Sequence, residues 1–460
     1  MLDLLALDAF AQAILTRRTG SVLDFTGSRT MSSSPTSRTT HVVNESLRPI
    51  PSDRRTLGFS DFLALWGSLG VGLLVMQAGA LLIPALSPAG AAGAVAIGTI
   101  GGTLLLAWVG YLGSTSGVSS AGLIWSALGK RFAMLPIALN VLQLLGWAVF
   151  EIVVLRDGLG AIAKQAFGPV NASLLTVIAG VVLMGLLALS MVGIVRRFIR
   201  RVGLWLMLIA LVWLTFRFVR DATPAVLNVP GKGGLAFAAA VDLVIAMPIS
   251  WIPLVADYTR YGRSPSKAFG GTFVGYGFAN GWCFLLGILI AALHPGADLM
   301  PTILQASFGA LALGLILIDE TDNGYSDLYS AAVSTHSLVP KWSVRVWGPV
   351  LAAVATVLAL LLPIQNYQDF LYLLGSVFVP LFGVVIAHHG FRPRTPDDTS
   401  VSLSWVGAVA WVAGIALYQY ITRYQPQWGA SLPSLAVSFV LYRVFARWSP
   451  YTANPSAQRT

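Results

Sequence analysis

Charge is scarce in this chain. Of its 460 residues only 10% are Asp, Glu, Lys or Arg, against about 25% in a soluble globular domain. Cysteine is nearly absent: Cys283 is the single one, which excludes a disulfide framework and any cysteine-rich metal site. What fills the chain is apolar, with 56% hydrophobic residues, 46 glycines besides and a mean hydropathy of +0.75. This composition excludes a soluble enzyme, a nucleic-acid-binding domain and a disordered chain. The 29 Lys and Arg against 19 Asp and Glu leave a net charge of +10. In a soluble protein that excess would suggest a nucleic-acid partner. In a membrane protein it marks cytoplasmic loops, and no nucleic acid is expected.

Residues 1–58 differ from everything after them. Ser28–Thr40 is rich in Ser, Thr and Arg without apolar periodicity and reads as disordered. Met1–Leu15 carries Asp3 and Asp8 and is followed by Arg17 and Arg18. A secretory signal has its basic residues first. Met31 opens a short polar tail, so residues 1–30 are a candidate start-site extension.

A helix crossing a bilayer needs about 20 predominantly apolar residues. Twelve stretches qualify: about 60–84, 90–112, 133–156, 172–193, 201–219, 235–258, 268–293, 310–334, 346–362, 369–388, 402–421 and 431–447. The expectation is an all-α polytopic membrane protein, with a twelve-helix domain over 59–447 between cytoplasmic tails at 1–58 and 448–460. With the N-terminus inside, 20 basic residues fall on the cytoplasmic side, among them Arg196, Arg197, Arg200, Arg201, Arg392 and Arg394. Only 6 fall outside: Arg156, Lys164, Arg217, Arg220, Lys232 and Arg423. The bias supports an even number of spans and cytoplasmic termini in the cell membrane.

Ionisable residues within spans are costly and usually line a pathway or pair internally. The densest group is Asp319-Glu320-Thr321-Asp322-Asn323-Gly324-Tyr325-Ser326-Asp327. It reads as a cytoplasmic loop if the eighth span ends at Ile318. It reads as a calcium loop only poorly, since the twelfth position is Ser330 and not Glu. It reads as a helix interior if Pro301–Phe308 is a short surface helix ended by Gly309. Asp319–Asn323 then lie about 14–20 Å into the span. Asp319, Asp322, Asn323, Ser326 and Ser330 share one helical face, which tilts the balance toward the interior.

The sixth span contains Pro248 and Pro253, five residues apart. Each removes a backbone donor and clashes with a preceding carbonyl, so the helix must kink or unwind. The first span has three glycines in six residues, Gly67, Gly70 and Gly72, either a close-packing face or a second unwound stretch. These interruptions lie about 180 residues apart, the length of five spans. Paired broken helices at corresponding positions point to a secondary transporter's binding site. They suggest an inverted repeat, about 59–220 and about 234–390, followed by helices eleven and twelve at about 402–447. In span three, Asn140, Gln143, Trp147 and Glu151 form one polar and aromatic face. A deep tryptophan beside an amide suits a flat heterocycle that stacks and hydrogen-bonds by its edge. Asp242 and Asp257 also lie in span six, and Asp257 is expected to pair with Arg260 or to cap the chain at the cytoplasmic face.

Residues 248–261, Pro-Ile-Ser-Trp-Ile-Pro-Leu-Val-Ala-Asp-Tyr-Thr-Arg-Tyr, resemble the sixth-helix signature of the nucleobase–cation symporter-1 family, the purine–cytosine permeases. Asn-Val-Leu-Gln-Leu-Leu-Gly-Trp at 140–147 is similar to their third-helix motif, and Leu-Gly-Ser-Val-Phe-Val-Pro-Leu-Phe-Gly-Val at 374–384 to their tenth. Residues 319–331 resemble the eighth helix of the hydroxymethylpyrimidine transporter branch. The resemblance covers about 57–447 and implies a five-plus-five inverted repeat like that of the leucine transporter, with helices 1 and 6 broken. It implies that Trp147 stacks on a heterocyclic substrate with Gln143 near its edge. Ile249, Ser250 and Trp251 would face the ring through the sixth-span break, and Asn323, with Asp322 beside it, would bond its polar edge. A cation would meet carbonyls around Gly67 and Gly70 and oxygens near Asp319, Glu320 and Thr321. Cytosine-type members tend to carry hydroxyl or small residues where this chain has Asp319 and Glu320, which leaves the base and the coupling ion, sodium or proton, open.

The expected function is cation-coupled uptake of hydroxymethylpyrimidine or a cytosine- or purine-type nucleobase by a monomeric unit without a cofactor. Another small solute such as allantoin or hydantoin is the alternative. An intramembrane enzyme, for example an aspartyl protease using Asp319 and Asp257, and a channel are the distant ones.

Overall fold

The computed structural model describes residues 49–189, 204–362, 367–390 and 404–446. The tails over 1–48 and 448–460, and the arginines at 196, 197, 200, 201, 392 and 394, lie outside the described residues. The last ten residues of the segment expected as a tail pack onto the helical body. There Leu57 bridges to the loop after span six, its N–H donating to the Tyr261 carbonyl (3.0 Å) and its carbonyl accepting from Arg263 N–H (2.9 Å).

The described elements are helical. Span one is a bent pair, α1 (Phe59–Leu69) and α2 (Leu73–Ala80), meeting at 58°. Then come α3 (Pro88–Ser116), the short α4 (Ser120–Leu128), α5 (Met134–Ala166), α6 (Ala172–Ala188) and α7 (Leu204–Asp221). Span six is α8 (Phe237–Ser250) with α9 (Ile252–Thr259). It is followed by α10 (Pro265–Leu293), α11 (Leu299–Gln305) and α12 (Gly309–Leu338). The chain continues through α13 (Val344–Leu361), α14 (Tyr367–His389), α15 (Trp405–Tyr424) and α16 (Ser431–Phe445). Among the described residues seven helices are long and apolar enough to cross a membrane, eight with the bent pair. Lipid-facing hydrophobics such as Ile100, Leu142, Ile209 and Val357 are exposed on their outer sides.

Local chemistry sets the helix ends. The side chains of Ser87, Ser119, Asn171 and Ser404 each accept from a backbone N–H in the first turn of α3, α4, α6 and α15, satisfying donors that a helix start leaves free. Gly117, at φ 73°, closes α3 in the left-handed conformation that glycine adopts without strain. The span-one break comprises Gly70, Val71 and Gly72.

The structure decides between the open readings. The acidic stretch is neither a loop nor a calcium site: α12 runs through it without interruption, and Asp319, Glu320, Asp322 and Asp327 are all buried. Gly309 opens α12 instead of ending the preceding helix, which stops at Gln305. Span six is not unwound. Phe237–Thr259 runs as one span, interrupted only at Trp251, whose backbone keeps right-handed helical angles (φ −85°, ψ −15°). Proline's fixed φ suits a helix, and Pro253 sits in the first turn of α9, where its missing N–H costs nothing. The joint tightens, with Trp251 N–H on the Pro248 carbonyl (3.3 Å) and Leu254 N–H on the Trp251 carbonyl (3.2 Å).

Two carboxylates of span six serve as helix caps. Asp242 accepts from the N–H groups of Ala430 (2.5 Å) and Ser431 (3.0 Å) at the start of α16. Asp257 accepts from Ser120 N–H (3.1 Å) at the start of α4, and the Ser120 hydroxyl accepts from Ala256 N–H (3.0 Å) in return. The cap reading of Asp257 is the one realised, with Arg260 as a charge neighbour.

α10 packs along α1, α2 and α3, and α12 along α5. At the α2–α10 crossing a Cβ on Gly79 would collide with the Phe284 carbonyl, and one on Gly287 with the Met76 carbonyl. Small residues of this kind let membrane helices approach backbone to backbone. Gly287→Ala is therefore expected to destabilise the protein by about 1–3 kcal/mol, the usual cost of overpacking. Gly185→Ala, with nothing within 4 Å of the added carbon, leaves stability within about 0.5 kcal/mol. Thermal melting of the two variants in detergent measures the difference.

Candidate functional site

Four interruptions and faces meet at one cavity. Leu69, Val71, Gly72, Leu74 and Val75 contribute the span-one break, and Met247, Ser250 and Trp251 the span-six joint. Trp147 and Glu151 come from α5, and Glu320, Asn323 and Asp327 from α12. The cavity is small, about 370 Å³ when the open solvent at its mouth is counted. Its lining carries three carboxyl groups and no Lys, Arg or His.

The break is held open by α12. Glu320 Oε1 accepts from Leu73 N–H, the first donor of α2. Asn323 Nδ2 donates to the Val71 carbonyl (3.1 Å) and to Glu320 Oε2 (3.3 Å). One carboxylate and one amide thus satisfy backbone groups that the missing turn would have paired, and a carboxylate is favoured at the positive end of a helix. The absence of a side chain on Gly72 allows this approach, since a Cβ there would lie 3.2 Å from Glu320 Oε1. Next to it, the Ser68 hydroxyl donates to Asp319 Oδ1 at 2.7 Å, while Asp319 Oδ2 is buried without a hydrogen-bond partner.

The span-six joint is held by α5. Because Leu254 N–H has moved to the Trp251 carbonyl, the Ser250 carbonyl is left over, and Gln143 Nε2 donates to it at 3.0 Å. The same Nε2 donates to Asn140 Oδ1 (2.9 Å), and Asn140 Nδ2 to Ser334 Oγ (3.1 Å). Trp147, one turn further along α5, is 6% exposed, and its Nε1 has no partner. Its ring meets Phe370 and Tyr367 of α14 edge-on, at 5.2 and 6.1 Å between centroids. Trp251 stands edge-on to Trp66 at 6.1 Å. The Tyr367 hydroxyl donates to the Leu74 carbonyl (3.1 Å) and so ties α14 to α2.

Of the residues expected at the site, Trp147, Ser250, Trp251, Glu320 and Asn323 line the cavity. Gln143 stands behind the joint with its Oε1 unpartnered. Asp319 faces Ser68 beside the break. The others lie elsewhere. Ile249 is fully buried in the core and outside the lining, and Asp322 is buried on α12 outside it too. Thr321 bonds back to the Leu317 carbonyl (2.9 Å). Gly67 and Gly70 face α10, near the backbone oxygens of Gly275 and Tyr276. The cavity face of α12 is therefore Glu320, Asn323 and Asp327, spaced by three and four; of the expected stripe Asp319, Asp322, Asn323, Ser326 and Ser330 it contains only Asn323. Asp327 and Glu151 are lining carboxyls to which the sequence reading assigned no role; the available signals were the position of Asp327 one turn after Asn323 and that of Glu151 on the polar face of span three.

Residues 49–429 match the model of a family described as permeases for cytosine/purines, uracil, thiamine and allantoin. The chain belongs to this permease family. It is a transporter and not an enzyme. It is similar to the cytosine permease of Escherichia coli K12, at 25% identity over 349 residues, spanning 72% of this chain and 79% of that one. Among solved structures it shares the fold of Mhp1, a nucleobase-cation-symport-1 family transporter. The closed conformation with bromovinylhydantoin bound superposes with a TM-score of 0.73 at 17% identity, covering 90% of this chain and 98% of that one. The inward-facing conformation gives 0.75 at 16% identity, covering 89% and 94%.

Removing the donor that holds the joint tests its role. Gln143→Met keeps the side-chain length but leaves the Ser250 carbonyl and Asn140 Oδ1 without it. A loss of about 1–3 kcal/mol is expected, read as a lower melting temperature in detergent. An unchanged melting temperature would show that the joint needs no support from α5.

Proposed function

We propose that the protein imports a small nitrogen heterocycle across the cell membrane, coupled to a cation gradient, by alternating access. In this reading the chain crosses the bilayer twelve times with both termini cytoplasmic, and spans one to five and six to ten form an inverted repeat around the cavity. The transport unit is a monomer. Rocking of one bundle against the other exposes the cavity to each side in turn.

The observation that carries the reading is the pairing of Trp147 and Trp251 in one cavity with Asn323, whose Oδ1 is buried and unpartnered. Flat π-faces and a free amide acceptor suit a ring that stacks and offers N–H groups at its edge. Gln143 presents a second acceptor behind them, and Ser250 lends its backbone to the same wall. Asp319, Glu320 and Ser68, grouped at the break, supply the oxygens for a coupling cation. Of cytosine and hydroxymethylpyrimidine, cytosine is the better supported, because the matched relatives are named cytosine permeases; only the α12 motif speaks for hydroxymethylpyrimidine. The Mhp1 complex makes a hydantoin-type ring the second reading.

Uptake of radiolabelled cytosine into proteoliposomes, under sodium and proton gradients imposed separately, tests this. Saturable uptake competed by cytosine, hydroxymethylpyrimidine or hydantoin is expected, and the strongest competitor identifies the cargo. Trp147→Ala should weaken binding by about 1–3 kcal/mol, the usual contribution of an aromatic stack, and Asn323→Ala should also weaken it. Ile318→Ala, on the exposed outer side of α12, should not. Absence of saturable binding for every ring in the panel would overturn the reading.

A further inference from the structure

The hydrogen bonds that hold the two interruptions consume donors and leave acceptors. Asn323 Nδ2 has two hydrogens, and both are taken, one by the Val71 carbonyl and one by Glu320 Oε2. Gln143 Nε2 likewise gives both of its own, to the Ser250 carbonyl and to Asn140 Oδ1. These oxygen partners fix which way each amide faces, and Asn323 Oδ1 and Gln143 Oε1 remain buried without a partner. The Ser250 hydroxyl is spent on the Met247 carbonyl (2.7 Å), and the Tyr367 hydroxyl on that of Leu74.

A third acceptor stands beside these. Glu151 lies one turn beyond Trp147 on the same face of α5, lines the cavity and is 4% exposed. Its stem rests on the α12 backbone one residue after Asn323: a Cβ on Gly324 would lie 3.2 Å from Glu151 Cβ and 3.7 Å from its Cγ. Asp242 and Asp257 cap helices; Glu151 Oε2 caps none and is buried without a partner. Among the described lining residues, the one buried donor still unused is Trp147 Nε1. The site thus offers three free acceptors against one free donor.

We propose that Glu151 is the specificity-determining residue of the cavity: its carboxyl accepts from the exocyclic amine of the cargo, which is an amino-substituted heterocycle. The proposal rests on the transport reading above and deepens it; the coupling cation keeps the group at the break. A ring lying on Trp147 has its edge within reach of the carboxyl one turn along the helix. An amine brings two N–H donors to that edge, where Glu151 Oε2 and Asn323 Oδ1 both accept, and Gln143 Oε1 is left for a further N–H or O–H. A dioxo ring brings carbonyl oxygens to the same place. They meet acceptors, and a buried carbonyl without a donor is penalised. Cytosine and hydroxymethylpyrimidine carry the amine. Uracil has a carbonyl in its place, and hydantoin has two carbonyls and no amine.

Isothermal titration of the full-length protein in detergent, with cytosine, hydroxymethylpyrimidine, uracil and hydantoin in turn, tests this. The wild type should bind one of the amino rings about a hundredfold more tightly than either dioxo ring. Uracil or hydantoin binding as tightly as the better amino ring would overturn the proposal and leave the transport reading standing. Glu151→Gln puts an N–H donor where an acceptor was, at the same size. The ratio of amino-ring to uracil affinity should then fall about tenfold or more. A Glu151 with only a structural role would lower both affinities together, and an unchanged ratio would overturn the proposal. In Glu151→Asp, with the carboxyl drawn back by one methylene, the ratio should fall by less. Should the glutamine variant not fold, this one decides, and an unchanged ratio there overturns the proposal. Binding of none of the four rings would overturn the transport reading, and this inference with it.

Discussion

A helix that stops inside a bilayer exposes N–H groups to a medium with no water to accept them, and each one left unmet costs several kcal/mol. The α2 N-terminus is such an end. The contact from Glu320 to Leu73 N–H, with Asn323 on the Val71 carbonyl, makes the span-one break tolerable. The cavity exists because this break exists, and the break persists because α12 caps it. The cavity-lining side chains of α5 and of the span-six joint are arranged around the space so created.

The same device recurs away from the cavity. Asp242 receives the first N–H groups of α16, and Asp257 that of α4. In each case a carboxylate on one helix takes the place of water at the start of another. This explains why a chain so poor in charge retains acidic residues in its spans. A buried carboxylate satisfied by backbone donors is a joint between elements.

The spans were legible in the sequence because about 20 apolar residues in a row have few other uses. Each of the twelve expected stretches falls on helix within the described residues, and seven or eight of those helices are long and apolar enough to cross a membrane. The break at Gly70–Gly72 was legible too, since glycines clustered in an apolar run offer either packing or unwinding. Two things were not. Helical periodicity groups residues by face but does not say which face turns inward: Asp319, Asp322, Asn323, Ser326 and Ser330 were grouped on one face, of which Asn323 alone lines the cavity, beside Glu320 and Asp327. That choice depends on how α12 is rotated against α5 and α2, a property of the packing. Likewise two prolines could not say whether span six would bend or unwind. Pro253 happens to fall in the first turn of α9, and Gln143, 107 residues before Ser250, accommodates the Ser250 carbonyl left over at the joint.

The crossing of α2 and α10 bears on movement. With glycine on both sides, the two backbones touch without intervening side chains, at Gly79 against Phe284 and at Gly287 against Met76. Side chains can change rotamer to let helices slide; bare backbones cannot. The half-helix that Glu320 holds is thereby keyed to α10, a helix of 29 residues. A displacement of α2 would therefore carry α10 with it as one body.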